Sequence, residues 1–254
     1  MILVFAGTQD GRELAALLAA RGYKTVVSVV SDYGAELVQP MQEIQVVKGK
    51  LQKSEMIKLF QDMDITTVLD ATHPFARNVS ENAIHACKEA GIYYLRYERP
   101  TEDYAGYDNV IAVESVKHAV DMLNKMEGRV LLTTGSNSLD IVTKGINEKD
   151  RIVARVLPGL EIMSKCIQLG LQPKQIIAMQ GPFSRELNRE MFKHCNAQIV
   201  LTKDSGSVGG TQSKILAAQD SGIPIIVITR PQVEYPLWAE TFEKVLERLR
   251  EWEN

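Results

Sequence analysis

Short runs of Val, Ile and Leu, most without apolar–polar alternation, recur along all 254 residues, and each is followed by a polar cluster and a segment of helical periodicity. A strand that is apolar on both faces must be buried on both, the condition met in parallel sheets covered by helices. Strands are predicted at 2–6, 24–30, 43–47, 67–70 and 92–95, then at 110–113, 129–133, 151–156, 175–179, 197–202 and 223–229. Helices are predicted at 11–20, 54–62, 75–90, 115–125, 137–144, 160–169, 184–193, 210–222 and 239–251. Alternation of this kind gives an α/β fold. Eleven strands are many for one open sheet, and residues 98–109 are polar and rich in turn formers. The expected architecture is therefore two Rossmann-like, doubly wound parallel-sheet domains with an interdomain cleft. Residues 1–98 would form a dinucleotide-binding domain and 110–254 a substrate domain. A (β/α)₈ barrel is the competing arrangement.

Composition excludes several classes. A net charge of −3 gives no broad basic surface, which argues against nucleic acid as a partner. There is no apolar run of about 18 residues to span a membrane, and "MILVFAG" is too short for a signal core and reads as a first strand. Cys87, Cys166 and Cys195 are far apart and fit no metal spacing. Reduced thiols in a cytoplasmic protein are expected. His85, His118 and His194 fall in predicted helices, H-E-x-x-H and G-x-S-x-G are absent, and no resident metal is expected.

The loop "FAGTQDGRELA" places Gly7, Thr8, Gly11 and Arg12 between a strand and a helix, where free backbone N–H groups attract phosphate. It is short of a full G-x-G-x-x-G, so tight packing explains it equally well. The second strand ends in "VVSDYG", where Ser31 and Asp32 stand at the offset of a ribose-binding acid. An acid there favours NADH over NADPH; helix capping is the alternative role. The fourth strand ends in Thr72-His73-Pro74-Phe75, on the sheet edge where open α/β folds bind ligands. Pro74 would open the next helix, Phe75 would cover an apolar ring, and Thr72 and His73 would wall the cofactor; the alternatives are that Thr72 simply caps the helix and His73 simply bonds to backbone. "HPFARN" is echoed by "GPFSRELN" at 181–188.

In the second half, strand ends carry "TTGSNSL" with Ser136, "MQGPFSREL", and "LTKDSGSVGGTQSK" with Lys203, Asp204 and Ser205 before a glycine-rich turn. That last loop can cradle an anion, with Lys203 as the point charge.

The motifs "GTQDGRELA", "SVVSDYGAEL", "DATHPFA", "RYERP", "LLTTGSNSL", "ARVLP", "MQGPFSRELN", "TKDSGSVGG" and "IPIIVITRP", in this order, resemble the precorrin-6A reductase family from Ile2 to about Pro231. The resemblance implies a Rossmann-like protein that reduces one double bond of a corrin-ring precursor with NADH or NADPH. It also implies a polycarboxylate tetrapyrrole-derived substrate, for which Arg96, Arg99, Arg155 and Lys203 are carboxylate partners, with Ser136, Asp204 and Ser205 beside them. Water, or an acid such as His73 or Lys203, would supply the proton. "SDYG" lacks the arginine seen after this strand in the aerobic branch and is similar to the anaerobic branch, which implies the cobalt-containing substrate and leans towards NADH. A non-catalytic bilobal binding protein and an S-adenosylmethionine-dependent methyltransferase are the alternatives. Oligomeric state is not legible in the sequence.

Overall fold

The computed structural model describes residues 1–39, 44–101, 103–206 and 209–253, with Glu253 described by its backbone alone. Glu43 of the third predicted strand, and Ser207 and Val208 of the glycine-rich loop, lie outside them. The chain divides into two compact units, Met1–Pro100 with Gln232–Asn254, and Thr101–Pro231.

In the first unit β1 (Ile2–Phe5), α1 (Gln9–Ala20), β2 (Thr25–Val29), α2 (Asp32–Val38), β3 (Ile44–Lys48), α3 (Lys53–Asp62), β4 (Thr67–Asp70), α4 (Arg77–Ala90) and β5 (Tyr93–Tyr97) follow one another. In the second come β6 (Val110–Val113), α5 (Val116–Leu123), β7 (Val130–Leu132), α6 (Leu139–Gly145), β8 (Ile152–Val156), α7 (Leu160–Gln168), β9 (Ile176–Ala178), α8 (Arg185–His194), β10 (Ile199–Lys203), α9 (Thr211–Asp220) and β11 (Ile225–Ile228). The chain then returns to the first unit with β12 (Trp238–Ala239) and α10 (Phe242–Glu253).

Each unit is built on a six-stranded sheet, ordered β12-β5-β4-β1-β2-β3 and β6-β11-β10-β7-β8-β9, and all the pairings are parallel. Two open sheets replace the barrel alternative. The expected domain boundaries 1–98 and 110–254 differ from these units at the C-terminus. Trp238 and Ala239 pair with Arg96 and Tyr97 of β5, and Val245, Leu246 and Leu249 of α10 are buried in one core cluster with Leu14 and Leu18 of α1.

The central strands β1 and β7 are apolar throughout because both faces are covered, whereas the edge strand β3 carries Gln45 and Lys48 and is partly exposed. Ile2, Val4 and Ala6 enter one core cluster of the first unit, and Leu3 and Phe5 enter the other. Side chains alternate across a strand, so a single strand feeds two cores, and each fully buried aliphatic side chain contributes about 1.5–3 kcal/mol. β10 and β11 of the second unit are buried in the same way.

In both sheets the direction of winding reverses once, between β1 and β4 in the first and between β7 and β10 in the second. Open α/β sheets bind ligands beyond the carboxyl ends of the strands at such a switch point.

Candidate functional site

At the β1/β4 switch point, Thr8 caps α1. Its Oγ1 accepts from Gly11 N–H at 3.1 Å and donates to Ala71 O at 3.0 Å, tying the first loop to the end of β4. Gly11 is needed for packing: a Cβ there would stand 2.8 Å from Ala6 Cα and 3.1 Å from Ala71 O. Gly7 is exposed, with nothing within 4 Å of where a Cβ would stand. The loop backbone is therefore open to a phosphate at Gly7, with half-buried Arg12 one turn on, and these residues fit a dinucleotide.

Beyond β2, Ser31 rather than Asp32 is the helix cap, its Oγ accepting from Gly34 N–H at 3.1 Å. Asp32 is exposed and accepts from Lys48 Nζ at 2.5 Å. The Lys48 hydrogen bond and charge hold its carboxyl below the usual range. The sequence shows no arginine beside Asp32, but the β2–β3 pairing brings this lysine from 16 residues away.

The Thr72–Phe75 segment is a turn that precedes the helix. Ala76 N–H donates to His73 O at 2.8 Å, which puts Pro74 at the second position of a β-turn, where its fixed φ belongs. The expected helix start at Pro74 is thus displaced to Arg77; Pro182 likewise lies ahead of α8, which starts at Arg185. His73 Nδ1 accepts from Phe75 N–H at 3.2 Å, and their rings are 5.8 Å apart. With Nδ1 accepting, the proton of the neutral ring resides on Nε2.

Behind this turn Asp70, fully buried, organises a polar network. Arg96 Nη1 donates to its Oδ1 at 2.9 Å, Tyr94 Oη donates to Oδ2 at 2.7 Å, and Thr72 donates to Oδ1 from Oγ1 at 2.7 Å and from its backbone N–H at 3.0 Å. Burial pushes this carboxyl up, but the Arg96 guanidinium and the Ser80, Thr72 and Tyr94 hydroxyls outweigh it and hold it below the usual range. Arg96 is assigned to substrate by resemblance; the structure commits it instead to Asp70 and Glu98, with its guanidinium carbon 5.2 Å from the Tyr235 ring centroid. Arg99 is likewise paired with Asp10. The reason is burial: a guanidinium 1% exposed requires its carboxylates within the fold.

At the β7/β10 switch point of the second unit, Ser136 is half-buried just after Gly135, whose φ of +74° suits glycine. Lys203 is half-buried, and burial pulls its pKa down. Asp204, expected beside the substrate, is 2% exposed and structural: its Oδ1 accepts from Gly206 N–H at 3.1 Å and its Oδ2 lies 3.4 Å from Arg230 Nε. Ser205 N–H donates to Thr211 Oγ1 at 3.0 Å, and Thr211 donates on to Lys203 O at 3.2 Å. A Cβ on Gly209 would strike Ser205 Cβ at 2.1 Å, so the loop closes only with glycine there. Arg155 is buried, with Nη1 donating to Asn188 Oδ1 at 2.8 Å and its guanidinium carbon 4.2 Å from the Phe183 ring centroid.

Sequence reasoning missed Lys48, Asp70 and Lys214. Lys214 had a legible signal, since it stands in the buried stripe Thr211, Lys214, Ile215, Ala218 of α9. Among the described residues no group of His, Cys, Asp and Glu could hold a metal ion, and no helix is long and apolar enough to cross a membrane.

The model of the family described as "Precorrin-6x reductase CbiJ/CobK" matches residues 1–250. The chain belongs to this family. It is 40% identical to the cobalt-precorrin-6A reductase of Priestia megaterium, over 98% of each chain. It is 36% identical to the cobalt-precorrin-6A reductase of Methanothermobacter thermautotrophicus, over 91% of this chain and 77% of that one. A solved structure titled CobK precorrin-6A reductase superposes with a TM-score of 0.81 at 25% identity, covering 98% of this chain and 96% of that one. Membership of a reductase family makes the chain an oxidoreductase of cobalamin biosynthesis and implies a nicotinamide cofactor. The bilobal binding protein and the methyltransferase are not favoured.

Proposed function

We propose that the chain reduces one ring double bond of cobalt-precorrin-6A to give cobalt-precorrin-6B, with NADH as the preferred cofactor. The carrying observation is the open backbone at Gly7, beside the His73–Phe75 turn at the β1/β4 switch point. The cobalt-containing substrate is favoured because curated relatives at 40% and 36% identity carry that name, whereas the structure titled precorrin-6A reductase stands at 25%.

When bound, the nicotinamide supplies the hydride. The chain's own residues do the rest. Gly7, Thr8, Gly11 and Arg12 receive the pyrophosphate, Ser31 and Asp32 hold the adenosine ribose, and Thr72, His73, Pro74 and Phe75 form the wall beside the rings. Ser136, Arg155, Lys203 and Ser205 take the carboxylate side of the substrate. Lys203, whose pKa is lowered by burial, is one candidate to give the proton; His73 is the other donor. The three buried, unbonded cysteines support a cytoplasmic setting.

Binding titrations of the purified chain with NADH, NADPH and S-adenosylmethionine test this reading. Binding of NADH or NADPH alone supports it; binding of S-adenosylmethionine alone overturns it.

A further inference from the structure

The carboxyl end of the second sheet buries two cations that, among the described residues, make no ion pair with a carboxylate. Pairing aligns Leu201 with Leu132 and Leu132 with Ala154, so the next residues, Thr202, Thr133 and Arg155, form a row near the carboxyl ends of β10, β7 and β8. Thr133 N–H donates to Leu201 O at 2.8 Å and extends the ladder to that row. Partnered residues of parallel strands point to the same face, and the contacts identify it. Lys214 Nζ, from α9, donates to Thr202 Oγ1 at 3.2 Å and to Gly209 O at 3.2 Å, while Arg155 reaches Asn188 of α8. Lys214 and Arg155 are each 7% exposed; β10, which Lys214 reaches through Thr202, and β8, which carries Arg155, flank β7 and its following residue Thr133 about 10 Å apart.

Among the described residues neither cation has a carboxylate within 4.0 Å. The acid whose charge reaches Lys214 is Asp204, which already accepts from Gly206 N–H and faces Arg230. Burial first, then Arg155, pulls the Lys214 ammonium down to about 7, with Asp204 acting the other way. Burial brings Arg155 down to about 10. A buried charge without a partner is costly, and apolar side chains of similar length would pack here at no such cost. Two cations buried side by side in this way suit an anion as their common partner.

We propose that Arg155 and Lys214 together receive one carboxylate arm of the macrocyclic ligand at the β7/β10 switch point, and that Lys214 Nζ takes up a proton from solvent as the arm arrives. This rests on the reading of the ligand as a polycarboxylate bound by the second unit. Thr133 Oγ1, which donates to Leu201 O at 3.1 Å, retains a lone pair at the floor of the site. Arg155 supplies a fixed charge and Lys214 a charge that is completed on binding, so the site is less costly when empty than two permanent cations would be.

The test is calorimetry of the full chain with cobyrinic acid, a stable corrinoid polycarboxylate, near neutral pH in buffers of low and high ionisation enthalpy. The wild type should take up a fraction of a proton on binding. Lys214→Met should bind about tenfold or more weaker, take up none, and melt at or above the wild-type temperature, because it removes a buried cation. Lys214→Arg, permanently charged, should keep most of the affinity and also lose the proton uptake. The fully methyl-esterified corrinoid should not distinguish wild type from Lys214→Met. Wild-type affinity and proton uptake in Lys214→Met would overturn the proposal. So would a lowered melting temperature with unchanged affinity, which would make Lys214 a structural donor to Thr202 and Gly209. If Lys203→Ala weakens binding but Lys214→Met does not, the ligand reading stands and this inference alone fails. If the wild type does not bind cobyrinic acid, the ligand reading itself falls and takes the inference with it.

Discussion

Asp70 and Arg96 face each other on neighbouring strands with side chains 0% and 1% exposed, and Arg96 Nη1 donates to Asp70 Oδ1 at 2.9 Å. Their separation of 26 residues closes because β4 and β5 pair in register, Asp70 against Arg96. The same carboxylate holds Thr72, so the pair anchors the turn that carries His73.

Removal of one partner leaves the other charge buried alone. Arg96→Met should therefore cost about 3–5 kcal/mol of stability, read from urea unfolding. A loss below about 1 kcal/mol, the range of exposed pairs, would mean that Asp70 is relieved by other partners.

The pH dependence has a definite sign. The folded pKa of Asp70 lies below its unfolded value, which is about 3.9. Its contribution to stability is fully present above the unfolded value and is lost as pH falls through the folded one. Urea midpoints measured through the acid range should fall more steeply for the wild type than for Asp70→Asn. Equal slopes would remove Asp70 as the source.

Lys48 beside Asp32 sets an expectation for cofactor choice. Its cation offsets part of the repulsion between Asp32 and a 2′-phosphate, so NADH should bind at least as well as NADPH, with only a modest gap. Asp32→Ala should shift preference towards NADPH and Lys48→Ala further towards NADH, both read by fluorescence titration. Wild-type preference for NADPH by more than about tenfold would contradict the assignment of Asp32 to the ribose.

Lys203 stands where β10 gives way to the Asp204–Gly206 turn, half-buried. Lys203→Ala should weaken binding of cobyrinic acid by about 1.5–3 kcal/mol, the range for a hydrogen bond to a charged group, and leave NADH affinity nearly unchanged. Loss of NADH binding with intact corrinoid affinity would reverse the two assignments.

The strands were legible because a chain covered on both faces writes them as unbroken Val, Ile and Leu runs. Elements that lack this signature were not. α2 has seven residues, and β12 has two, paired only through Trp238 and Ala239; nothing local marks a return to the first sheet. Candidate site residues divide in the same way. Thr8, Gly11 and the Thr72–Phe75 turn could be placed from their position after a strand. The fates of Arg96, Arg99 and Asp204 depended on partners far away in sequence or on burial, and a basic side chain near a strand end reads alike whether it faces a ligand or a buried acid. Lys48 was hidden because its meaning comes from strand pairing.

The most direct measurement is an anaerobic incubation of the purified chain with cobalt-precorrin-6A and NADH deuterated at the transferable position, followed by mass spectrometry of the corrinoid. The expected product has gained one deuterium from the cofactor and one hydrogen from water, with one NADH consumed for each macrocycle reduced. A corrinoid recovered unchanged with NADH and with NADPH, or one that gains a methyl group when S-adenosylmethionine is supplied, would contradict the assignment.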